Sequence, residues 1–321
     1  MSQSPDNTVI LNYRRGLPPL KEAFENIGYR VVENIWEPAP DLLARSDICV
    51  VNLYEAIRDP WSTLGLKRRL KRAGVPLIGL DRDAPWHMGI RWRRLALFRL
   101  LRPLDIYASH TIQPIWNFAP MKLYCPNAAW VRIFNLRGHS LEQMRDPNFY
   151  EYDVSFLGNL DGQRFKEHAN RQHFLEDLAD RLAKLGIRYR FAQGTGLALL
   201  EQVHLIQRSR INLNYGAAAD HGAVRSWGLP ERCYGVPGCG GFLLSDERKH
   251  ASDDFDLASE WAGFTDLDDC VEKIQYWLAH FERSRRIAEA AHARVLKHHT
   301  YELRARNLLS AGQSFIETNA T

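Results

Sequence analysis

Short apolar runs rich in β-branched residues alternate along the first part of the chain with segments whose apolar positions recur every three to four residues. The runs at 8–12, 29–32, 47–53, 75–80, 104–108 and 121–124 predict strands. The segments 17–27, 61–73 and 91–101 predict helices, and each meets a stop signal: Gly28, Gly74 and Pro103. The run D-I-C-V-V-N-L at 47–53 predicts a strand buried on both faces. Strands and helices in this order predict a parallel sheet with helices on both faces.

Between 130 and 152 the pattern lapses into polar, turn-forming sequence with Gly138, Pro147 and Asn148, which predicts a domain boundary. The alternation then restarts. Strands are predicted at 153–157, 188–192, 211–215 and 261–264, and helices at 165–185, 197–207, 267–281, 283–297 and 301–316. The expected fold class is α/β, with two Rossmann-like doubly wound domains facing a cleft: 1–135 on the acceptor side, 150–298 as the nucleotide-binding domain, and a terminal helical segment, 299–321. In such sheets ligands bind at the carboxyl ends of the strands. Two facing domains suit group transfer, because closure excludes water.

Composition narrows the class. Hydrophobic residues are 45% and charged residues 25%, a globular profile, and no apolar run approaches the ~20 residues of a membrane span. The polar start of the chain has no signal-peptide pattern, and five scattered cysteines fit a reduced, cytoplasmic protein. Charge is uneven. Residues 1–150 hold 21 Lys+Arg against 14 Asp+Glu, whereas residues 151–321 hold 21 against 24. The excess lies in 67–72 and 91–102. These segments read either as solvated helix faces or as a surface for an anionic partner, including peripheral contact with the inner membrane face. In 91–102, Trp92, Leu95, Phe98 and Leu101 recur every three residues with arginines beside them, a pattern that fits a core helix or one lying on an anionic membrane. No nucleic-acid recognition motif occurs.

The densest chemistry lies at 232–246, R-C-Y-G-V-P-G-C-G-G-F-L-L-S-D. A short helical pattern closes on Gly240-Gly241 and continues as a buried strand. A helix start offers free N–H groups to phosphate, and paired glycines let a backbone approach a bulky anion. The pair is equally a tight helix-to-strand turn. No G-x-G-x-x-G or P-loop is present, and no metal is implied.

Several blocks resemble the CgeB-like glycosyltransferases, a group of GT-B architecture. They are Val154 to Asn159 with Arg164, Ser209 to Asn214, Arg232 to Leu244, Phe264 with Asp266 and Leu267, and His299-Thr300-Tyr301 with Arg304. The resemblance covers the C-terminal half. It implies that a nucleotide-sugar donor, its nucleotide and sugar unresolved, binds there; no cofactor beyond that donor, and no metal, is expected. It also implies that the last helix packs back onto the N-terminal domain. The donor residues it points to are Gly158, Asn159, Arg164, Asn214, Arg232, Gly240 and Gly241. One departure stands out. The family's glutamate three residues after the arginine, which in GT-B enzymes commonly holds the donor ribose, is Gly235 here. Glu231, one helical turn earlier, is a candidate to replace that carboxylate; a changed donor or lost activity are the alternatives.

An inverting transferase needs a base near the acceptor hydroxyl. Candidates at predicted strand ends of the first domain are Glu55, Asp81 and His87, with Asp83 and His110 nearby. The leading expectation is therefore transfer of a sugar from a nucleotide donor to a hydroxyl of a glycan, glycolipid or protein, with cell-surface glycan or glycolipid synthesis as one setting. A nucleotide-sugar epimerase, or a GT-B protein that binds nucleotide or glycan without turnover, are the alternatives.

Overall fold

The computed structural model describes residues 7–82, 89–111, 116–160, 166–216 and 228–320. The chain divides into two compact units. The first comprises residues 1–126 and 301–321, and the second residues 127–300.

In the first unit the chain runs β1 (Thr8–Asn12), α1 (Pro18–Asn26), β2 (Arg30–Glu33), α2 (Pro40–Leu43) and β3 (Ser46–Asn52). It continues through α3 (Leu53–Arg58), α4 (Pro60–Arg72), β4 (Leu77–Asp81), α5 (Trp92–Leu101), β5 (Ile106–Ser109) and β6 (Met121–Tyr124). The six strands form a parallel sheet in the order β2-β1-β3-β4-β5-β6. β1 and β4 are buried at every position, as expected of strands covered on both faces. Asn52 caps α3 by accepting a hydrogen bond from the Tyr54 N–H, so the predicted strand 47–53 gives way to a helix at Leu53.

The second unit runs β7 (Tyr152–Gly158), α6 (Lys166–Lys184), β8 (Tyr189–Gln193), α7 (Leu199–Gln207) and β9 (Ser209–Asn214). Then come α8 (Arg232–Gly238), β10 (Leu243–Asp246), α9 (Ala251–Asp254), β11 (Gly263–Phe264), α10 (Leu267–Ala279) and α11 (Phe281–His298). Its parallel sheet has the order β11-β10-β9-β7-β8. Its core joins Val154, Phe156, Leu178, Leu213, Leu244 and Phe264.

Both sheets share one winding. The first strand of each lies between the second and the third, so the strand order reverses beside it. At such a switch point the loops leave in opposite directions and open a crevice at the carboxyl ends. In the second unit this point lies between β7 and β9.

Three sequence expectations change. The division falls after Pro126, so residues 127–135, expected in the first domain, belong to the second unit. The stretch 130–152 is part of that unit rather than a linker: Met144 and Tyr150 are buried, and the Tyr150 hydroxyl donates to the Met144 carbonyl at 2.6 Å. The face of α5 is also turned. Leu95 and Phe98 point inward, but Trp92 is 70% exposed.

The last helix, α12 (Tyr301–Ala320), packs on α1, β3 and β5 and so belongs to the first unit. Its Gly312 lies where a Cβ would stand 2.4 Å from Ile48 Cγ2 of β3. Only glycine allows that approach without displacing a β-branched neighbour.

Candidate functional site

The switch point of the second unit is built around two arginines. β7 ends at Gly158, where a Cβ would stand 2.5 Å from Arg232 Nη1 and 2.9 Å from the Phe156 ring. The missing side chain is what admits Arg232. This arginine opens α8, donates Nη1–H to the Leu157 carbonyl at 2.7 Å, and holds its guanidinium 4.8 Å from the centre of the Phe156 ring. Desolvation pulls its pKa down to about 10, so it remains a cation at neutral pH in a partly dehydrated place. A cation so placed attracts phosphate more strongly than one in bulk water.

Arg171 of α6 fills the crevice itself. Its Nε donates to the Tyr215 carbonyl at 2.9 Å and its Nη1 to the Asn159 carbonyl at 3.0 Å, and Nη2 donates to the Gly216 carbonyl. It ties the loop after β7 to the loop after β9. The Asn159 side chain accepts from Gln193 Nε2 at 3.1 Å, which adds β8 to the same rim.

A second network fixes the ends of β9 and β10. Asn214, fully buried, donates to Ser245 Oγ and to Asp246 Oδ1, both at 2.9 Å. Asp246 also receives the Gly216 N–H at 3.0 Å and a two-pronged contact from Arg248 at 3.0 and 2.9 Å. Such forked, charge-assisted pairs fix geometry as well as charge. Arg248 makes a third bond, from Nη1 to the Gly228 carbonyl at 2.7 Å. Beyond this network, Glu247, Lys249, Leu257, Trp261, Phe264, Thr265, Asp269 and Lys273 line a groove of about 760 Å³. That is within the range of small-molecule sites. Its two lysines, two carboxylates and aromatic wall suit a ligand that joins a flat ring to an anion.

The structure thus brings Gly158, Asn159, Asn214 and Arg232 to one rim, with the exposed Glu231 immediately before Arg232 at the start of α8. Arg164 lies outside the described residues. Gly240 and Gly241 do not join the rim. α8 runs away from it, so the pair falls at the amino edge of the sheet. Gly240 turns there with φ +76°, its carbonyl accepts Arg285 Nη1–H at 2.9 Å, and a Cβ would crowd Leu136 and Met144. A Cβ on Gly241 would meet Asn212, Val236 and Ile206 at 3.0–3.1 Å. The pair is a tight helix-to-strand turn. At Gly235, also buried, a Cβ would stand 3.6 Å from the Phe134 ring, so an aromatic surface lies where a longer side chain would extend.

In the first unit, Glu55 lies half-buried on α3, just past the carboxyl end of β3, and accepts the Arg14 N–H at 3.2–3.3 Å. Asp81 is buried at the end of β4, where Oδ2 accepts the Tyr107 hydroxyl at 3.1 Å and the Ser109 hydroxyl at 2.9 Å. That is the setting of a carboxylate that braces a strand end. His110 is buried, with Nδ1 3.3 Å from the Asp81 carbonyl. His87 and Asp83 lie outside the described residues. Among the described residues no cluster of three or more His, Cys, Asp or Glu could hold a metal ion, and no helix is long and apolar enough to cross a membrane.

Sequence reasoning missed Arg171, Asp246, Arg248 and the groove. One signal was available: S-D-E-R-K, a charged run directly after a buried strand, where that strand's carboxyl end must lie.

Solved structures share this fold over nearly the whole chain. Sucrose-phosphate synthase from Thermosynechococcus elongatus superposes with a TM-score of 0.64 at 11% identity, covering 98% of this chain and 99% of that one. HepE from Anabaena, in complex with UDP and glucose, gives 0.60 at 13% identity, covering 95% and 99%. A UDP-N-acetylglucosamine 2-epimerase from Listeria monocytogenes, itself described as putative, gives 0.51 at 12% identity, covering 98% of each chain. These likenesses establish the GT-B fold. No curated protein matches the sequence. A family profile described as glycosyl transferase-like matches residues 143–310, which is just over half of the chain and contains every element of the rim. The chain therefore belongs to the glycosyl transferase-like family.

Proposed function

We propose that the second unit binds a nucleotide-diphosphate sugar at the carboxyl rim of its sheet, and that the protein transfers the sugar to a hydroxyl acceptor. The observation that carries this reading is the Gly158–Arg232 pair. A strand ends in glycine against a partly dehydrated arginine at a switch point. The diphosphate lies against Arg232 and the loop after β7. The base and ribose extend toward the groove after β10 and β11, where Glu247 supplies the carboxylate that Gly235 withholds. UDP is the first nucleotide to test, because HepE was solved with UDP and glucose at nearly full coverage of both chains. The motif order favours the CgeB-like branch of the family. On the acceptor side Glu55 is the base we favour, since Asp81 already accepts two hydroxyls.

Calorimetry with UDP, GDP and their sugars tests the site. Arg232→Ala removes a charge-assisted contact worth about 1.5–3 kcal/mol, so the affinity for the preferred nucleotide falls about tenfold or more. Unchanged affinity in that variant places the donor elsewhere. Product analysis with labelled donors separates transfer from epimerisation and from binding without turnover.

A further inference from the structure

We propose that the outer face of α5 docks on an anionic phospholipid surface. The feature belongs to the first unit and does not depend on the donor reading. Trp92, Ala96 and Leu100 follow one another at intervals of four, so they share one face of the helix. That face is turned to solvent: Trp92 is 70% exposed and Leu100 79%. With Arg99, Arg102 and Trp116 they line an open groove of about 500 Å³. Single exposed apolar residues are ordinary, but a tryptophan and a leucine on one shelf, with a second tryptophan beside them, need a reason.

The charge around the shelf says what covers it. Residues 89–104 contain Arg91, Arg93, Arg94, Arg99 and Arg102 and no acidic residue. All five arginines are exposed. Arg93 lies 5.8 Å from the Trp92 ring. Arg94 adds only a small part to the lowering of the Asp59 carboxyl, which Ser62 chiefly causes. Tryptophan prefers the headgroup layer of a bilayer, and arginine reaches lipid phosphate while its stem lies on apolar surface. A second copy of the chain is a poor occupant, because a two-fold contact would bring the same five arginines face to face. Nucleic acid would use the arginines but leave Leu100 in water.

The test is sedimentation of the full chain with vesicles of phosphatidylcholine alone or mixed with phosphatidylglycerol, at low and high salt. The expected result is binding to the anionic vesicles only, weakened by salt. Trp92→Ala with Leu100→Ala lowers that partitioning tenfold or more. Arg99→Gln with Arg102→Gln lowers it about thirtyfold, at roughly fivefold per arginine. All four positions are exposed, so the thermal melts stay unchanged. The proposal is overturned by equal and negligible sedimentation with both vesicles, by anionic binding that survives loss of Trp92 and Leu100, or by dimerisation abolished by Leu100→Ala. Binding to heparin or DNA that does not need Trp92 or Leu100, without vesicle binding, makes the partner a nucleic acid and also overturns it.

Discussion

Adding one methyl group at residue 158 should do two separable kinds of damage. In Gly158→Ala the new Cβ arrives 2.5 Å from Arg232 Nη1 and 2.9 Å from two atoms of the Phe156 ring. The guanidinium has to move. It then loses its 2.7 Å bond to the Leu157 carbonyl and its place 4.8 Å from the Phe156 ring centre. A hydrogen bond from a charged donor contributes about 1.5–3 kcal/mol and a cation–π contact about 0.5–1 kcal/mol. Partial relaxation recovers some of this, so a loss of about 2 kcal/mol is expected. That corresponds to a fall of about 4–8 °C in the melting midpoint for a unit of this size. Urea denaturation of the ligand-free protein reads this part. Calorimetry with the preferred nucleotide reads the other, where affinity should fall about tenfold. Gly194→Ala is the control, since a Cβ there finds no atom closer than 3.8 Å. In the double variant Gly158→Ala/Arg232→Ala, the methyl should add less than it costs alone, because the part that acts through Arg232 is already lost and only its approach to the Phe156 ring remains. If Gly158→Ala and Gly194→Ala are equally stable and bind equally well, Arg232 is not held as described and the reasoning fails.

Two further outcomes follow from other parts of the molecule. Gly312→Ala would ordinarily stabilise a helix by about 1 kcal/mol, but the 2.4 Å approach to Ile48 should reverse the sign to a loss of about 1–3 kcal/mol; a higher urea midpoint would refute the packing. The fork of Arg145 on Glu289, at 2.9 and 2.7 Å, holds the Glu289 carboxyl below its ordinary range. Its contribution, about 0.2–1 kcal/mol for a solvent-screened pair, is therefore full above the usual glutamate pKa and is lost as pH falls through the depressed one. Glu289→Gln should lower stability at neutral pH and converge with the parent in acid, and an equal deficit at every pH would count against the pair.

The strands were the most legible part of the chain. Runs such as 47–53 are rich in β-branched and apolar residues because both faces of the strand are covered, although the last residue, Leu53, already opens a helix. Helix ends were legible where a glycine takes positive φ, as at Gly28, Gly74 and Gly186. The stretch 130–152 misled because its polarity hides a few anchors, Met144 and Tyr150 among them. Trp92 misled for a geometric reason. Steps of three residues turn about 60° short of a full helical circle, so Trp92 and Leu101 stand on opposite sides of α5 although each step alone looks like one face. In the candidate site, Gly158 and Arg232 were visible as motif residues. Arg171, Asp246 and Arg248 were not, because their partners come from strands and loops that become neighbours only when β7, β9 and β10 lie side by side.

The position of α12 bears on the order in which the chain is made. The second unit is continuous, so every strand and helix it needs has been synthesised by residue 300. The first unit begins earlier but waits for residues 301–321, which cover α1, β3 and β5. The half that starts first should therefore finish last, holding an apolar surface open while the other half is translated. Cutting the chain after residue 300 should leave the second unit folded and strip the first of its cover. A fragment of residues 127–300 should fold alone, whereas residues 1–126 should be aggregation-prone until a separate peptide of 301–321 is supplied.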